Sequence, residues 1–143
     1  MLLPDLPNIL TSYRIVLASA SANRREILKN AGLDFAQNHF EISPSGFAED
    51  LPKSDFPTSR DYVIKTSEKK LDFKIASIDQ DLPKIENDGR PWLIISSDTI
   101  ISLNETTILE KPQNAIEATE MLKKLRDQKV HQVYTSVWIA IVE

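Results

Sequence analysis

The sequence predicts an α/β fold in which helices flank a layered, mixed β-sheet. Short apolar runs, typical of buried strands, alternate along the chain with segments whose apolar residues recur at helical spacing. The 143 residues are 41% hydrophobic and 27% charged, which provides enough apolar material for a core and a charge content usual for folded proteins. We therefore expect a single domain over residues 1–143.

The composition excludes several classes of function. With 17 basic and 21 acidic side chains the formal charge is −4, which argues against a surface that binds nucleic acid polymers. The chain has no cysteine, so disulfides, thiolate catalysis and cysteine-bound zinc are impossible. The 3 glycines, Gly32, Gly46 and Gly89, cannot form a GxGxxG or a GxxxxGK[ST] loop. Side chains or an ordinary helix N-terminus must therefore hold any phosphate group.

The sequence contains no signal for secretion or membrane insertion. Residues 1–11 lack both a basic region and a long apolar run. No apolar run approaches the roughly 20 residues that a membrane-spanning helix needs. We expect a cytoplasmic protein that has no membrane partner.

The first third of the chain is predicted to form two strands and a helix. Residues 14–18 are a short apolar run and predict a buried strand. Ser21 is placed to cap a helix that ends at Gly32. A second strand is expected over residues 35–42. The residues of the helix that we expect to face inward are Ile27, Leu28 and Ala31.

The middle of the chain is predicted to be a long helix between two loops. Residues 43–57 contain three prolines and Gly46, which indicates a loop. Thr58 or Ser59 then caps a helix that reaches about Ile78. Residues 79–90 are polar and form an insertion-like loop. The apolar residues at helical spacing are Ile64, Leu71, Ile75 and Ile78.

The last third is predicted to contain most of the sheet. A buried strand is expected over residues 92–95, followed by a hairpin of residues 100–103 and 107–109. A helix capped by Asn114 precedes a long β-rich segment over residues 130–142. Strands that alternate with helices in this way are typical of α/β proteins.

Ser19, Ser21 and Arg24 lie at the predicted strand-to-helix junction. Two hydroxyls, the free amides of the first helical turn and a guanidinium can together bind an anion without any glycine. A basic residue in a first turn opposes the helix dipole, and an anion over the turn removes that conflict. The alternative interpretation is a capped surface helix with solvated arginines.

Asp98 is expected directly after the buried strand of residues 92–95. Ligands of open α/β sheets collect outside the carboxyl ends of the strands, where a carboxylate can hold Mg²⁺ or position water. The alternative for Asp98 is an Asx turn that begins the next segment.

Three further charged residues are candidates. Lys70 borders the apolar stripe of the long helix, so it can reach a phosphate or simply belong to a solvated face with its lysine neighbours. Lys111, before Pro112, is a surface lysine or a phosphate ligand. Glu49 lies in a proline-containing loop, where acids are usually solvated.

The two histidines do not form a catalytic or metal-binding pattern. His131 and Thr135 would share one face of the last strand, and His39 has no partner nearby in sequence. Two histidines without cysteine give neither a Ser–His–Asp order nor a zinc spacing.

Taken in order, these segments resemble the Maf family, the septum-formation-protein-like nucleotide pyrophosphatases. Any one segment is weak evidence, but the ordered set from Ile15 to about Val142 is specific. The matching segments are Leu17-Ala18-Ser19-Ala20-Ser21 with Arg24, Phe47-Ala48-Glu49, the helix with Lys70, Ile95-Ser96-Ser97-Asp98-Thr99-Ile100, Ile108-Leu109-Glu110-Lys111-Pro112 and His131-Gln132-Val133-Tyr134-Thr135.

The resemblance implies a Maf/ITPase-like mixed sheet and hydrolysis of nucleoside triphosphates, such as dTTP, UTP or modified nucleotides, to monophosphate and pyrophosphate. It implies a divalent metal, Mg²⁺ or Mn²⁺, and a possible homodimer. Glu49 and Asp98 would hold the metal or orient the attacking water. The residues that would bind the phosphates are Ser19, Ser21, Arg24, Lys70 and Lys111.

The chain departs from the family pattern at two places. Asn23 stands where the family usually has the first of two arginines, which removes one phosphate contact. The family also continues well beyond the segment that ends at Glu143, so we expect a fold that is incomplete at the C-terminus. These departures leave a second hypothesis open, a noncatalytic nucleotide-binding or regulatory remnant. An aspartyl-phosphate phosphatase is disfavoured, because Asp98 is followed by Thr99-Ile100 and not by a second aspartate.

Overall fold

The computed structural model describes residues 5–33, 40–82 and 88–143. Helices and strands alternate in these residues, as the sequence predicts. The elements are α1 (Leu6–Ser12), β1 (Arg14–Leu17), α2 (Ala22–Asn30), β2 (Phe40–Ile42), α3 (Ser59–Asp81), β3 (Trp92–Ser102), β4 (Ile108–Leu109), α4 (Ala115–Gln128) and β5 (Gln132–Val142), with a short 3₁₀ turn at Lys53–Asp55.

The strands form a mixed five-stranded sheet in the described part of the chain. Its order is β2-β1-β3-β4, and β5 also pairs with β3. β1 is parallel to both β2 and β3, so that Leu17 is in register with Ile42 on one side and Ile95 on the other. β4 is antiparallel to β3, which forms the predicted hairpin. The predicted fold class, a mixed sheet with flanking helices, is confirmed.

The chain divides into two compact units. The first unit comprises Met1–Ala48, Glu68–Ser97 and Val137–Glu143, and the second comprises Glu49–Ser67 and Asp98–Ser136. The long elements α3, β3 and β5 each contribute one part to each unit.

The first unit has apolar clusters on both faces of β1. Val16 and Ala18 pack with Leu71 of α3, whereas Ile15 and Leu17 pack with Leu6 of α1. Successive residues of a strand point to opposite faces. A central parallel strand covered on both faces is therefore apolar without alternation, which explains the continuous Ile15-Val16-Leu17-Ala18 run.

The second unit has a smaller core around the start of α3. Tyr62, Val63 and Ile100 are buried together. The Phe56 ring meets the Tyr62 ring edge-on, with 5.4 Å between their centroids, a favourable geometry for two aromatic rings.

Several predicted elements need correction. β3 does not end at Ile95 but continues to Ser102, so Asp98 lies inside a strand and not after one. Helix α1 was not predicted, because seven residues are too few for a helical period to show. His131 lies one residue before β5, so it does not share a strand face with Thr135. Residues 34–39, which hold most of the second predicted strand and His39, lie outside the described residues.

Exposed apolar side chains occur on α2, where burial was predicted, and on β5. Ile27 of α2 was predicted to face inward but is exposed, whereas Leu28 packs against the first unit's core. Consecutive helix residues are rotated by about 100°, so the two cannot face the core equally. One face of β5, for which no burial was predicted, is exposed, and its apolar residues are Val133, Val137, Ile139 and Ile141. Among the described residues, no helix has both the length and the apolar character needed to cross a membrane.

Candidate functional site

Ser19, Ser21 and Arg24 meet in the turn between β1 and α2, which we call the β1–α2 turn (residues 18–24). Ser21 is the N-cap of α2, as predicted, and its side chain accepts from the Arg24 amide at 3.4 Å. The Arg24 Nη1 atom donates to Ser19 Oγ at 3.0 Å, and the Ser21 amide donates to the same oxygen at 3.2 Å. The structure thus brings these three predicted residues into one hydrogen-bonded turn.

The β1–α2 turn has the composition of an anion site. It follows a buried parallel strand and opens α2, whose first turn contains no acidic residue. The amides of a first helical turn carry a partial positive charge, and Arg24 adds a full one. Hydroxyl, amide and guanidinium donors around one turn can together bind phosphate oxygens.

Lys70 is buried on α3, in the first unit, with only 6% of its surface exposed. The solvated lysine face that the sequence also allowed is therefore wrong for Lys70, and it is wrong for Lys74, which has no exposed surface. The two residues are four apart, one helical turn, and share the face that buries Leu71 and Ile78. That face of α3 is partly cationic.

Asp98 lies in the middle of β3, in the second unit, and is 8% exposed. Even-numbered β3 residues are buried on this strand face, including Ile100, which packs with Tyr62. Burial, a hydrogen bond to Glu110 and the negative charges of Glu110 and Asp98 raise the pKa of the Tyr62 hydroxyl above its usual value.

Tyr62, Glu110 and Lys53 form a polar cluster in the second unit. The Tyr62 hydroxyl donates to Glu110 Oε1 at 2.8 Å, and Lys53 Nζ donates to Glu110 Oε2 at 2.7 Å. Both oxygens of Glu110 are thereby occupied, which fixes the chain immediately before Lys111. The sequence did not single out this cluster, because Tyr62, Lys53 and Glu110 belong to three separate elements.

Glu49 and Lys111 are exposed residues of the second unit. Glu49 has φ 56°, in the left-handed region that residues other than glycine seldom adopt, and such strained backbone is concentrated at functional sites. Lys111 lines a cavity of about 340 Å³ together with Pro112 and residues of α4, among them Met121 and Lys124. The cavity places the Lys111 side chain beside both apolar and charged groups.

Two carboxylates of the second unit have the chemical type that binds a divalent metal ion. In the described ranges, no group of three or more His, Asp or Glu residues could hold a metal by itself. Mg²⁺ commonly binds through one or two carboxylates and fills its remaining positions with water and substrate phosphates. Asp98 and Glu49, two carboxylates of one unit, match that requirement in chemical type.

The seven predicted site residues are divided between the two units. Asp98, Glu49 and Lys111 belong to the second unit. The residues that belong to the first unit are Ser19, Ser21, Arg24 and Lys70. Within the β1–α2 turn, hydrogen bonds join three of the predicted residues, Ser19, Ser21 and Arg24, directly.

A mixed α/β sheet in which a helix N-terminus follows a parallel strand is a common arrangement in proteins that bind phosphorylated ligands. Comparison with known proteins narrows this class. Residues 14–143 match the family described as "Maf-like protein". The chain belongs to the Maf-like protein family.

Similar proteins come from distant organisms. The chain is 39% identical over 127 residues to a human "Probable bifunctional dTTP/UTP pyrophosphatase/methyltransferase protein", a match that covers 88% of this chain and 18% of the human protein. It is 35% identical over 133 residues to the "dTTP/UTP pyrophosphatase" of Schizosaccharomyces pombe, covering 92% of this chain and 51% of that protein.

A third similar protein is the "Nucleoside triphosphate pyrophosphatase" of Dictyostelium discoideum, 36% identical over 130 residues, with 91% of this chain and 54% of that protein covered. The chain therefore spans about half the length of the latter two relatives and a smaller share of the human one.

Proposed function

We propose that the protein hydrolyses nucleoside triphosphates, with dTTP, UTP or modified nucleotides as substrates, to nucleoside monophosphate and pyrophosphate. The observation that carries the proposal is the β1–α2 turn, where two serines and Arg24 converge at the start of α2. The relatives, whose names describe pyrophosphatases of dTTP, UTP or nucleoside triphosphates, support the same reaction.

The cationic and hydroxyl residues would bind the triphosphate. A triphosphate carries about four negative charges, and the departing pyrophosphate needs those charges stabilised. Arg24 offers a planar pair of donors, and Lys70 and Lys111 offer point charges. The complete set of proposed phosphate ligands is Ser19, Ser21, Arg24, Lys70 and Lys111.

The acidic residues would position the attacking water molecule and the metal ion. The bond between the α-phosphorus and the oxygen that bridges to the β-phosphate breaks, and a water molecule supplies the new oxygen to the α-phosphorus. Asp98 and Glu49 would orient this water and hold Mg²⁺ or Mn²⁺. When bound, such an ion would neutralise charge on the phosphate oxygens.

The assay is pyrophosphate release from dTTP and UTP with Mg²⁺ or Mn²⁺ and, as a control, with a chelator. We expect turnover that the chelator abolishes.

Arg24→Gln should lower kcat/KM by about tenfold to a hundredfold, the usual cost of losing a hydrogen bond to a charged group. Arg25→Gln is the matched control, because Arg25 is the exposed neighbour on α2 and carries the same charge. We expect it to change kcat/KM by less than about twofold.

Two results would contradict the proposal. One is a folded protein that releases no pyrophosphate from any nucleoside triphosphate. The other is an Arg24→Gln variant as active as Arg25→Gln. Saturable binding of a nonhydrolysable UTP analogue without turnover would favour the alternative, a noncatalytic nucleotide-binding remnant, which Asn23 in the first turn of α2 supports. A homodimer and a cytoplasmic location remain predictions.

A further inference from the structure

Lys74 is a fully buried cation for which the proposed reaction gives no role. It lies on α3 and has no exposed surface. Its Nζ donates to Ser43 Oγ at 2.8 Å and forms an ion pair with Asp81. Burying an ammonium group is costly even when it is paired, so a fold that keeps one calls for a reason.

Ser43 joins this cation to the β1–α2 turn. It follows β2 directly, and its amide donates to the Leu17 carbonyl at 3.1 Å. The same carbonyl accepts from the Ser19 amide at 2.9 Å. Lys74 is thus connected to Ser19, which holds Arg24, through three successive hydrogen bonds that all lie in the first unit.

The partner of Lys74 is less buried than Lys74 itself. The Asp81 side chain is 38% exposed and also accepts from the Ser77 hydroxyl at 2.6 Å. Hydrogen bonds from Lys74 and then Ser77 hold the pKa of the Asp81 carboxyl below its usual value, so it is charged at neutral pH. Solvent screens an exposed charge more strongly than a buried one. The pair therefore leaves a net positive potential on the buried side.

We propose that Lys74 is a positioning residue that adds positive potential to the β1–α2 turn and strengthens its binding of phosphate groups, and that Asp81 sets how strong this effect is. This inference rests on the proposed function, because it takes the turn to be a phosphate site. It assigns Lys74 and Asp81 opposite effects on anion affinity, although both take part in one stabilising pair.

The test measures the affinity of the full chain for inorganic pyrophosphate by calorimetric titration at low ionic strength. Lys74→Met should weaken pyrophosphate binding about fivefold, and Asp81→Asn, which keeps an acceptor for Lys74 and Ser77, should tighten it about threefold. Lys69→Met and Asp72→Asn are matched controls with the same charge changes in an exposed pair of the same helix. Each control should shift the affinity by less than about 1.5-fold.

The outcomes separate this inference from the proposed function. If the unchanged protein binds no pyrophosphate, the phosphate site is absent and both proposals are overturned. If it binds pyrophosphate but Asp81→Asn weakens binding or matches Asp72→Asn, only the role of Lys74 is overturned, because a merely structural pair gives no tightening. The Asp81→Asn result decides the matter even if Lys74→Met fails to fold, which circular dichroism would reveal.

Discussion

Helix α3 buries several polar residues, whereas helix α4 leaves large apolar residues exposed. α3 buries Thr66, Ser67, Lys70 and Lys74 on the face that also holds Leu71. α4 buries none of its residues, and Ile116 and Leu122 are 77% and 67% exposed. The apolar stripe of α4 is better formed than that of α3, yet α3 is the more deeply buried helix. Hydropathy alone therefore does not decide which helix is covered.

The difference follows from the partners that each helix has. Two polar groups of α3 are buried together with hydrogen-bond partners, since Ser67 Oγ donates to Ser136 Oγ at 2.7 Å and Lys74 Nζ donates to Ser43 Oγ at 2.8 Å. On α4, by contrast, the half-buried Met121 lines an open cavity, and no residue of the helix is buried. Thr66 Oγ1, on the same face, has no hydrogen-bond partner in the described part of the chain, so these bonds account for Ser67 and Lys74 and not for every buried polar group of α3.

The largest expected effect is a difference in the free energy of unfolding between leucine-to-alanine variants of the two helices. Leu71→Ala removes a side chain from the first unit's core, so the free energy of unfolding should fall by about 2–5 kcal/mol. Leu122→Ala makes the same chemical change at an exposed position of α4 and should cost less than about 0.5 kcal/mol. Urea unfolding measures both. Equal losses would mean that α4 is as tightly packed as α3.

The next effect concerns the proposed role of Lys70, on the buried polar face of α3, in binding substrate phosphates. Lys70→Met should lower kcat/KM for pyrophosphate release by about tenfold to a hundredfold, because a charge-assisted phosphate contact is lost. Lys123→Met on α4, where the lysine pairs with Glu120 at 2.6 Å on the surface, is the control and should leave kcat/KM unchanged. If the two variants have the same activity, the buried face of α3 does not contact substrate.

The smallest effect is a pH dependence at the start of α3. The pKa of Tyr62 is raised by burial and by Glu110, so its neutral form is favoured in the folded state. The resulting stability is fully present below the unfolded pKa of about 10 and is lost as the pH rises above it. Tyr62→Phe should cost about 1 kcal/mol at pH 7 for the lost hydrogen bond and should not share the alkaline loss. Unfolding free energies between pH 7 and pH 11 test this, and parallel curves for the two proteins would refute it.

Local features of the fold could be predicted from the sequence. Ser21 caps α2, Asn114 caps α4 by accepting from the Glu117 amide at 2.9 Å, and the hairpin of β3 and β4 forms where the turn residues place it. Each of these depends on residues within a few positions of one another. The β1–α2 turn belongs to the same class, because Ser19, Ser21 and Arg24 are close in sequence and were predicted to lie together there, whereas the hydrogen bond from Arg24 to Ser19 is a finding of the structure.

The predictions that failed depend on residues distant in sequence. The polar run Ser96-Ser97-Asp98-Thr99 looked like the end of a strand, but β3 continues through it because neighbouring segments supply partners, such as Thr135 for Thr99 at 3.0 Å. The burial of Lys74 could have been suspected from its spacing to Lys70 and Ile78, yet its partner Ser43 lies 31 positions away. The residues near Lys74 in the sequence do not indicate that Ser43 is its partner.

The sequence by itself determined the α/β class, the capped turns, the family resemblance and the candidate residues, because helical and strand periods and capping are local properties of the chain. Only the tertiary structure decided that Asp98 lies inside β3, that Lys70 and Lys74 are buried and that the apolar face of α4 is not. These outcomes depend on which side chains of distant segments meet. A buried charge is retained only where such a partner exists, and an apolar helix face is covered only where another element packs against it.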